Sequence, residues 1–144
     1  MVVTRPARAA APSPPRLYTS QRLRFALDAP SLAEAGVSGS HALLLVEDPH
    51  GLACLCPSRR DPAFVPVNGR WLLPGPERGG FYLDEPQGDH NATAIVPAAP
   101  APDDIVQALC TDRALWGADR LAAWLETEAV PHAIRQARFF LVAG

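Results

Sequence analysis

The sequence contains no lysine, so its thirteen basic residues are all arginine. Fifteen acidic residues balance them and leave a net charge of -2 at pH 7. Proteins whose main partner is nucleic acid carry a clear excess of basic residues, because they neutralise phosphate groups. The charge balance therefore argues against nucleic acid as a partner.

Long apolar runs are also missing. No segment has the roughly 20 consecutive apolar residues that a membrane-spanning helix needs. The first residues, MVVTRPARAAAPSPPR, lack the apolar core of a secretory signal. The three cysteines are an odd count and too few for a disulfide framework. These absences predict a protein without a membrane partner in a reducing cytoplasm.

Catalytic and metal-binding motifs are absent as well. The sequence has no GxSxG, P-loop, GxGxxG or HExxH motif. His50 and His90 fall in predicted turns, where a histidine is usually solvated. A structural zinc site needs paired short ligand spacings, and Cys54 and Cys56 have no second pair. We therefore predict no catalytic residue, no cofactor and no metal site.

The residues that are present divide the chain into two regions. Residues 1–16 are rich in proline, alanine and arginine and predict a disordered tail or linker. A polyproline II ligand built on Pro12, Pro14 and Pro15 is the alternative for this region. The overall composition, 48% hydrophobic and 19% charged, is typical of a globular protein, and residues 17–144 are predicted to form a single domain.

Short apolar segments separated by Gly, Pro and Asp follow from Arg22 onward. RLRFALD alternates with the period of a half-buried strand, whereas HALLLVE is continuous and predicts a strand buried on both faces. The turn EDPHG joins HALLLVE to GLACLCP as an antiparallel hairpin. Asn68-Gly69 predicts another tight turn, and PSLAEAGVSGS is interpreted as a loop.

A helical period occurs only at about residues 103–129. Asp103 and Asp104 are predicted to cap a first helix with Ile105 and Leu109 on its inner face and Cys110 as a further candidate. ADRLAAWLETEA predicts an amphipathic second helix with Leu121, Trp124, Leu125 and Ala129 on its inner face. AIRQARFFLVAG then returns to a strand pattern. Together the elements predict a mainly β fold: an antiparallel immunoglobulin-like sandwich of about seven short strands, with a small two-helix section before the last strand.

Cys54 and Cys56 are the residues with the most reactive side chains in this pattern. On a regular strand, residues two apart project to the same face, with parallel Cβ directions that suit a disulfide poorly. Free cysteine behaves as a small hydrophobic residue, so we interpret both as core residues. The alternative is a small thiol-dependent hydrolase that uses Cys54 or Cys56 with a histidine. Cys110 can join them only through the fold.

Two tryptophans and three arginines are the candidate interaction residues. Trp71 in NGRWLLP and Trp116 in ALWG are not explained by an amphipathic pattern, and tryptophan and arginine are enriched at binding hot spots. Arg59, Arg60 and Arg78 lie in predicted loops and offer another hypothesis, the binding of a small anionic ligand. An exposed sheet edge that accepts a partner strand is a further candidate surface.

The run from Arg22 to Val96 resembles a bacterial β-sandwich domain of unknown function. Members of that family share a strand-turn-strand, a Leu-Pro step and a strand of the form PxGxxxxxAIV. The matching residues here are Leu43, Leu45, Asp48, Gly51, Leu55, Pro57, Ser58, Leu73, Pro74, Pro86, Gly88, Ala94, Ile95 and Val96. These motifs are specific for an architecture and include no catalytic residue.

The resemblance implies an accessory module, because that domain is commonly fused to caspase-like peptidases or serine/threonine kinases. We therefore expect a non-catalytic protein-interaction domain (an adaptor, sensor or targeting module) of a bacterial signalling or defence effector. Its partner would be a protein such as a caspase-like protease or a kinase. The thiol-dependent hydrolase and the binder of a small anion remain the alternatives.

Overall fold

The structure is a computed structural model that describes residues 2–3, 14–83 and 86–144. Strands account for 40% of the described residues and helices for 23%, which confirms the prediction of a mainly β fold. The strands are β1 Val2–Val3, β2 Arg16–Tyr18, β3 Arg22–Leu23, β4 Phe25–Asp28, β5 Leu43–Asp48, β6 Gly51–Cys56, β7 Val65–Val67, β8 Arg70–Leu73, β9 Phe81–Tyr82, β10 Gly88–Pro97 and β11 His132–Val142. The helices are α1 Ala29–Glu34, α2 Asp103–Leu109 and α3 Ala114–Thr127.

The strands form a sandwich-like arrangement of sheets. One sheet has the order β2-β11-β10-β5-β6, a second has the order β1-β4-β8-β7, and β3 pairs with β9. The described residues thus form eleven strands, several of them only two or three residues long, rather than about seven. The sandwich is also not purely antiparallel, because β2 runs parallel to β11. A parallel pair is possible here since no tight turn joins these two strands.

Strand β5 is buried on both faces, as its continuous apolar sequence predicts. Leu44 and Val46 belong to the core between the two larger sheets. Leu43 and Leu45 point to the opposite face and pack with Leu121 and other residues of α2 and α3. The molecule therefore has three layers: a sheet, a second sheet, and two helices that cover part of the outer face of the five-stranded sheet.

The two predicted tight turns are both present. Asp48 closes the β5–β6 hairpin, because its Oδ1 accepts hydrogen bonds from the backbone N–H groups of His50 (2.7 Å) and Gly51 (3.1 Å). Asn68 and Gly69 connect β7 to β8 with φ angles of 49° and 79°. Positive φ at both central residues is what a two-residue hairpin turn of the common twisted type requires.

Helices α2 and α3 lie within the predicted section of residues 103–129, but the cap of α2 differs from the prediction. The N-cap is Pro102, and no side chain caps the helix. Asp103 and Asp104 occupy the first turn instead, where their charges interact favourably with the helix dipole. Leu121 and Leu125 of α3 are buried, as the helical pattern predicts, whereas Ala129 is exposed because the helix ends at Thr127.

Helix α1 occupies part of the segment for which the sequence predicts a loop. Asp28 caps it, because the Asp28 carboxylate accepts a hydrogen bond of 3.0 Å from the N–H of Ser31. Pro30 lies in its first turn, a position that proline favours. With six residues, the helix is too short to show a helical period in the sequence.

Part of the segment predicted to be a disordered tail is described and lies in the sheets. Val2–Val3 pairs with β4, and Arg16 begins β2. The carbonyl of Pro15 accepts a hydrogen bond of 2.8 Å from the N–H of Phe140 in β11. Residues 4–13, with Pro12 of the predicted polyproline ligand, lie outside the described residues.

Candidate functional site

Trp116 lies on the outer side of α3 and is 40% exposed. The inner side of α3 is formed by Gly117, Leu121 and Leu125, which are buried. Because successive helix residues are rotated by about 100°, Trp116 points away from these residues and from the sheet. Its neighbour Leu115 is 68% exposed. A large aromatic side chain that the core does not need is therefore presented to solvent.

Two arginines flank the Trp116 ring. The guanidinium carbon of Arg113 lies 4.4 Å from the ring centroid, and that of Arg120 lies 5.4 Å from it. Both distances are within the range of cation–π attraction, which is worth about 0.5–1 kcal/mol for each exposed pair. Among the described residues, neither guanidinium forms an ion pair with a carboxylate. We call Arg113, Leu115, Trp116 and Arg120 the tryptophan surface.

The spacing of these residues is a signal that the sequence already contains. Arg113, Trp116 and Arg120 are three and four residues apart, the spacing of neighbours on one helix face. Only Trp116 is predicted from the sequence, and both arginines are missed, because they carry no apolar pattern. In the folded chain, the guanidinium groups of both arginines lie near the Trp116 ring.

A groove of about 290 Å³ continues from the tryptophan surface along α3. It lies between the first turn of α2 and the middle of α3, and Arg120 is shared by the groove and the surface. Trp124 and Ile105 provide its apolar lining, and Asp104 and Glu128 its acidic lining. This outer side of the helical layer therefore combines indole rings with charges of both signs.

Trp71, the other tryptophan proposed from the sequence as an interaction residue, contributes to the packing of the core. It lies on β8 and packs against the core between the sheets. A Cβ atom at Gly39 would lie only 2.3 Å from Cγ of Trp71, so the ring rests directly on the backbone of Gly39. Trp71 is only partly exposed, and the structure does not bring it together with Trp116 in one surface.

The three predicted loop arginines do not converge on one cationic site. Arg78 forms an ion pair with the carboxylate of Asp61, which is buried. Arg60 and Arg78 line a groove of about 300 Å³ that also contains Asp61 and Glu77, whereas Arg59 is not part of its lining. Two carboxylates thus offset the two guanidinium groups, which weakens the case for a small anionic ligand there.

The thiols of Cys54 and Cys56 point to opposite faces of the sheet, so the prediction that they share a face is wrong. The cause is a β-bulge: Cys54 pairs with Leu45, but Cys56 pairs with Leu44, which leaves Leu55 as the extra residue. Cys56 lies in the core between the sheets. Cys54 lies under the helices instead.

Neither thiol has the setting of a catalytic nucleophile. Burial raises the pKa of Cys56 to about 12. Burial, and then the nearby Cys110 thiol, raise the pKa of Cys54 above its ordinary value. Within the described residues, the hydrogen-bond partners of both thiols are backbone carbonyls and Cys110, and none is a histidine. A thiolate activated by an imidazole base, which a thiol hydrolase requires, is therefore not assembled here.

His90 is buried in β10, although the sequence places it in a turn and predicts it to be solvated. Its ring stacks on Phe139 with 4.9 Å between the ring centroids, and its Nδ1 is 3.0 Å from the carbonyl oxygen of Gly88. His50 and His90 both line a wide polar groove of about 830 Å³ at the β5–β6 turn. The prediction failed because β10 begins at Gly88, earlier than the apolar pattern indicates.

The helices cover only part of the five-stranded sheet. Their core includes side chains of β5, β6 and β10, but none of β11. On β11, Ile134 is 50% exposed and Phe140 is 39% exposed, and the guanidinium carbon of Arg16 lies 6.0 Å from the Phe140 ring centroid. This uncovered strand is a second exposed face with apolar side chains, separate from the tryptophan surface.

Metal-binding clusters and membrane-spanning helices are both absent from the described residues. These residues contain no group of three or more histidine, cysteine, aspartate or glutamate side chains that could hold a metal ion. They also contain no helix whose length and apolar character would let it cross a membrane.

Comparison of the chain with protein-family models, with curated proteins and with solved structures found no match. The resemblance carried by the motifs between Arg22 and Val96 therefore stays a prediction. The geometry of the chain itself is the basis on which its function can be inferred.

Proposed function

We propose that the protein is a non-catalytic interaction module that binds another protein through the tryptophan surface. The observation that carries the proposal is the exposed Trp116 ring, whose centroid lies 4.4 Å from the guanidinium carbon of Arg113 and 5.4 Å from that of Arg120. Tryptophan and arginine are the residue types most enriched at interface hot spots. The flanking guanidinium groups restrict the ring before binding, which lowers the entropy lost when a partner docks.

The chemistry of the surface indicates the kind of partner. An indole ring and the exposed Leu115 fit an apolar side chain. The two guanidinium groups fit carboxylates, to which arginine donates paired hydrogen bonds. The partner is therefore a protein surface or segment that presents acidic residues next to an apolar one.

The biological setting of the proposal comes from the sequence resemblance. On that basis the partner belongs to a bacterial signalling or defence effector, such as a caspase-like protease or a serine/threonine kinase. We also propose that the sandwich is immunoglobulin-like and that the protein acts in the cytoplasm. The raised thiol pKa values and the absence of a histidine partner for Cys54 and Cys56 among the described residues support a binding role over a thiol enzyme.

The proposal is tested by cross-linking from the surface itself. Leu115 is replaced by the photoreactive residue p-benzoylphenylalanine, because its side chain is exposed and it precedes Trp116 in the chain. Irradiation in the cells that make the protein should attach one predominant partner, which mass spectrometry identifies. The same residue placed at Ile134, which is exposed on β11, is the positional control and should not attach that partner.

Binding of the purified partner then decides the proposal. We expect Trp116→Ala to weaken the affinity by about 30-fold, the effect of a typical hot-spot truncation. Arg120→Ala should weaken it several-fold, and more at low salt than at high salt. Phe140→Ala, a matched change of an equally exposed aromatic residue, should leave the affinity within about twofold. An affinity that survives Trp116→Ala, or the absence of any cross-linked partner, would show that this surface is not the binding site.

A further inference from the structure

Two of the three cysteines meet at the boundary between the helices and the sheet. The Sγ atom of Cys110 lies 3.7 Å from the Sγ atom of Cys54. Cys54 is on β6, and Cys110 is the C-cap residue of α2. The two residues are 56 positions apart in the sequence, so only the folded chain brings them together.

The surroundings hold both thiols in one place. The Cys110 thiol donates to the carbonyl of Pro57 over 3.3 Å, and the Cys54 thiol lies 3.8 Å from the same oxygen and 3.1 Å from the carbonyl of Cys56. A shared acceptor keeps the two sulfur atoms side by side. Cys110 is exposed, whereas Cys54 is partly buried. One member of the pair is therefore open to reagents in solution and the other is protected behind it.

The β-bulge selects which cysteine takes part. It turns Cys56 into the core between the sheets, where its thiol is 3.8 Å from the carbonyl of Ala42 and has no solvent exposure. Of these two cysteines, only Cys54 faces the helices. Redox-sensitive cysteines are often accessible to solvent and adjacent to a second cysteine that resolves the oxidised form, and Cys110 and Cys54 are placed in this way.

We propose that Cys54 and Cys110 are a reversible dithiol site that a low-molecular-weight disulfide oxidises to an intramolecular disulfide. The Cys110 thiolate attacks one sulfur of the reagent, a mixed disulfide forms at Cys110, and the first reagent thiolate leaves with the electron pair. The Cys54 thiol then gives up its proton and attacks the sulfur of Cys110, and the second reagent thiolate leaves. Both leaving thiolates become thiols at neutral pH, so the protein loses two hydrogens and the reagent gains them.

The attack of Cys54 on Cys110 requires only a small movement of the two sulfur atoms, which lie 3.7 Å apart. A disulfide bond is about 2.05 Å long, so the two sulfur atoms must approach by about 1.6 Å, which rotation of the exposed Cys110 side chain at the helix end can provide. The product joins β6, an edge strand, to the end of α2. It would fasten the helices to the sheet covalently and restrict the unfolded chain with a long loop.

The test titrates the whole protein with mixtures of oxidised and reduced glutathione at pH 7.5. Trypsin cuts after arginine, which places Cys54 and Cys56 in the peptide of residues 25–59 and Cys110 in the peptide of residues 79–113. We expect these two peptides to become linked in most chains as the mixture becomes oxidising. The linked protein should lose two hydrogens in mass, gain at least about 5 °C in Tm, and return to its starting state with excess reductant.

Three variants identify which cysteines react. Cys110→Ala, a substitution at an exposed position, should abolish the disulfide, and Cys54→Ala should leave a glutathione mixed disulfide at Cys110. Cys56→Ala should form the disulfide as the natural sequence does. If Cys56→Ala fails to fold, the natural sequence can be digested further with chymotrypsin, which cuts after Leu52 and Leu55. Cys54 and Cys56 then lie in different peptides, so the cysteine linked to Cys110 can be identified. A mixed disulfide that persists at Cys110 while Cys54 stays free, or a link through Cys56, would overturn the proposal.

Discussion

The thiol of Cys54 lies 3.7 Å from the thiol of Cys110, where the outer face of the five-stranded sheet meets the end of α2. This contact joins the five-stranded sheet to the helical section, two parts of the molecule that are separate segments of the sequence. The helices otherwise rest on the sheet through apolar packing around Leu45 and Leu121. The attachment of the helical layer can therefore be tested by substitutions that leave the four residues of the tryptophan surface unchanged.

The first prediction concerns that apolar packing. Leu121 has no solvent exposure, whereas Leu115 on the same helix is 68% exposed. We expect Leu121→Ala to lower the free energy of unfolding by about 2–5 kcal/mol, because it leaves a cavity between helix and sheet. Leu115→Ala should change it by less than about 0.5 kcal/mol. Urea unfolding of the two variants measures both values, and similar losses would mean that α3 is not anchored through Leu121.

The second prediction concerns pH. The pKa of Cys56 rises from an ordinary value of 9.0 to about 12, first because the thiol is buried and then because of the charges at Asp61 and Cys110. The unfolded chain therefore loses this proton at a lower pH than the folded chain does. The folded state binds more protons above pH 9, so stability falls as the pH rises from 9 toward 12.

The expected contribution of Cys56 to this loss is about 1.4 kcal/mol between pH 8 and pH 10. Urea unfolding of the natural sequence and of Cys56→Ala at both pH values measures it, together with the smaller effect that Cys56 has on the pKa of Cys54. The variant should lose less stability than the natural sequence over this interval. Equal losses would show that the Cys56 thiol does not cause the pH dependence.

A third prediction concerns the ion pair of Arg78 and Asp61. Asp61 is only 6% exposed, so removal of the guanidinium leaves a carboxylate with little access to water. We expect Arg78→Ala to lower the free energy of unfolding by about 3 kcal/mol. The double variant Arg78→Ala with Asp61→Ala should be more stable than Arg78→Ala alone, since the buried charge is gone. Chemical denaturation of the two single variants and the double variant gives the interaction energy, and simple additivity would mean that the pair is not coupled.

The fourth prediction tests the contact of Trp71 with Gly39. A Cβ at Gly39 would lie 2.3 Å from Cγ of the indole, a distance that forces the ring to move. We expect Gly39→Ala to lower the free energy of unfolding by about 1–3 kcal/mol, the usual cost of overpacking. The fluorescence emission of the protein should also shift, because Trp71 is displaced. In a Trp71→Leu background the same glycine substitution should cost much less, and an undiminished cost would place the strain elsewhere.

Local patterns in the sequence predicted the parts of the fold that depend on neighbouring residues. The continuous apolar run of Leu43 to Val46 marked a strand buried on both faces, and Asn68-Gly69 marked a hairpin. Both features are determined within a few residues. Helix α1 escaped prediction because its cap, the Asp28 carboxylate, is the main local signal in a segment of six helical residues.

The thiol site could not be predicted for a different physical reason. A strand period places Cys54 and Cys56 on one face, and only the bulge at Leu55 separates them. A bulge is set by pairing with β5 and leaves no mark in the spacing of the cysteines. The contact with Cys110 depends on how α2 packs on the sheet, which no local pattern contains.

The parallel pairing of β2 with β11 has a consequence for the order in which the molecule assembles. Leu17 is completely buried, and its partner Leu141 is 124 positions further along the chain. Contacts of such separation form slowly, because a long loop must close before any contact compensates for the lost entropy. On the ribosome, the β2 segment emerges early and has no β11 to pair with until the rest of the domain has been translated. This edge of the sheet can therefore form only after β11 has been synthesised, and Leu17 has no partner strand until then.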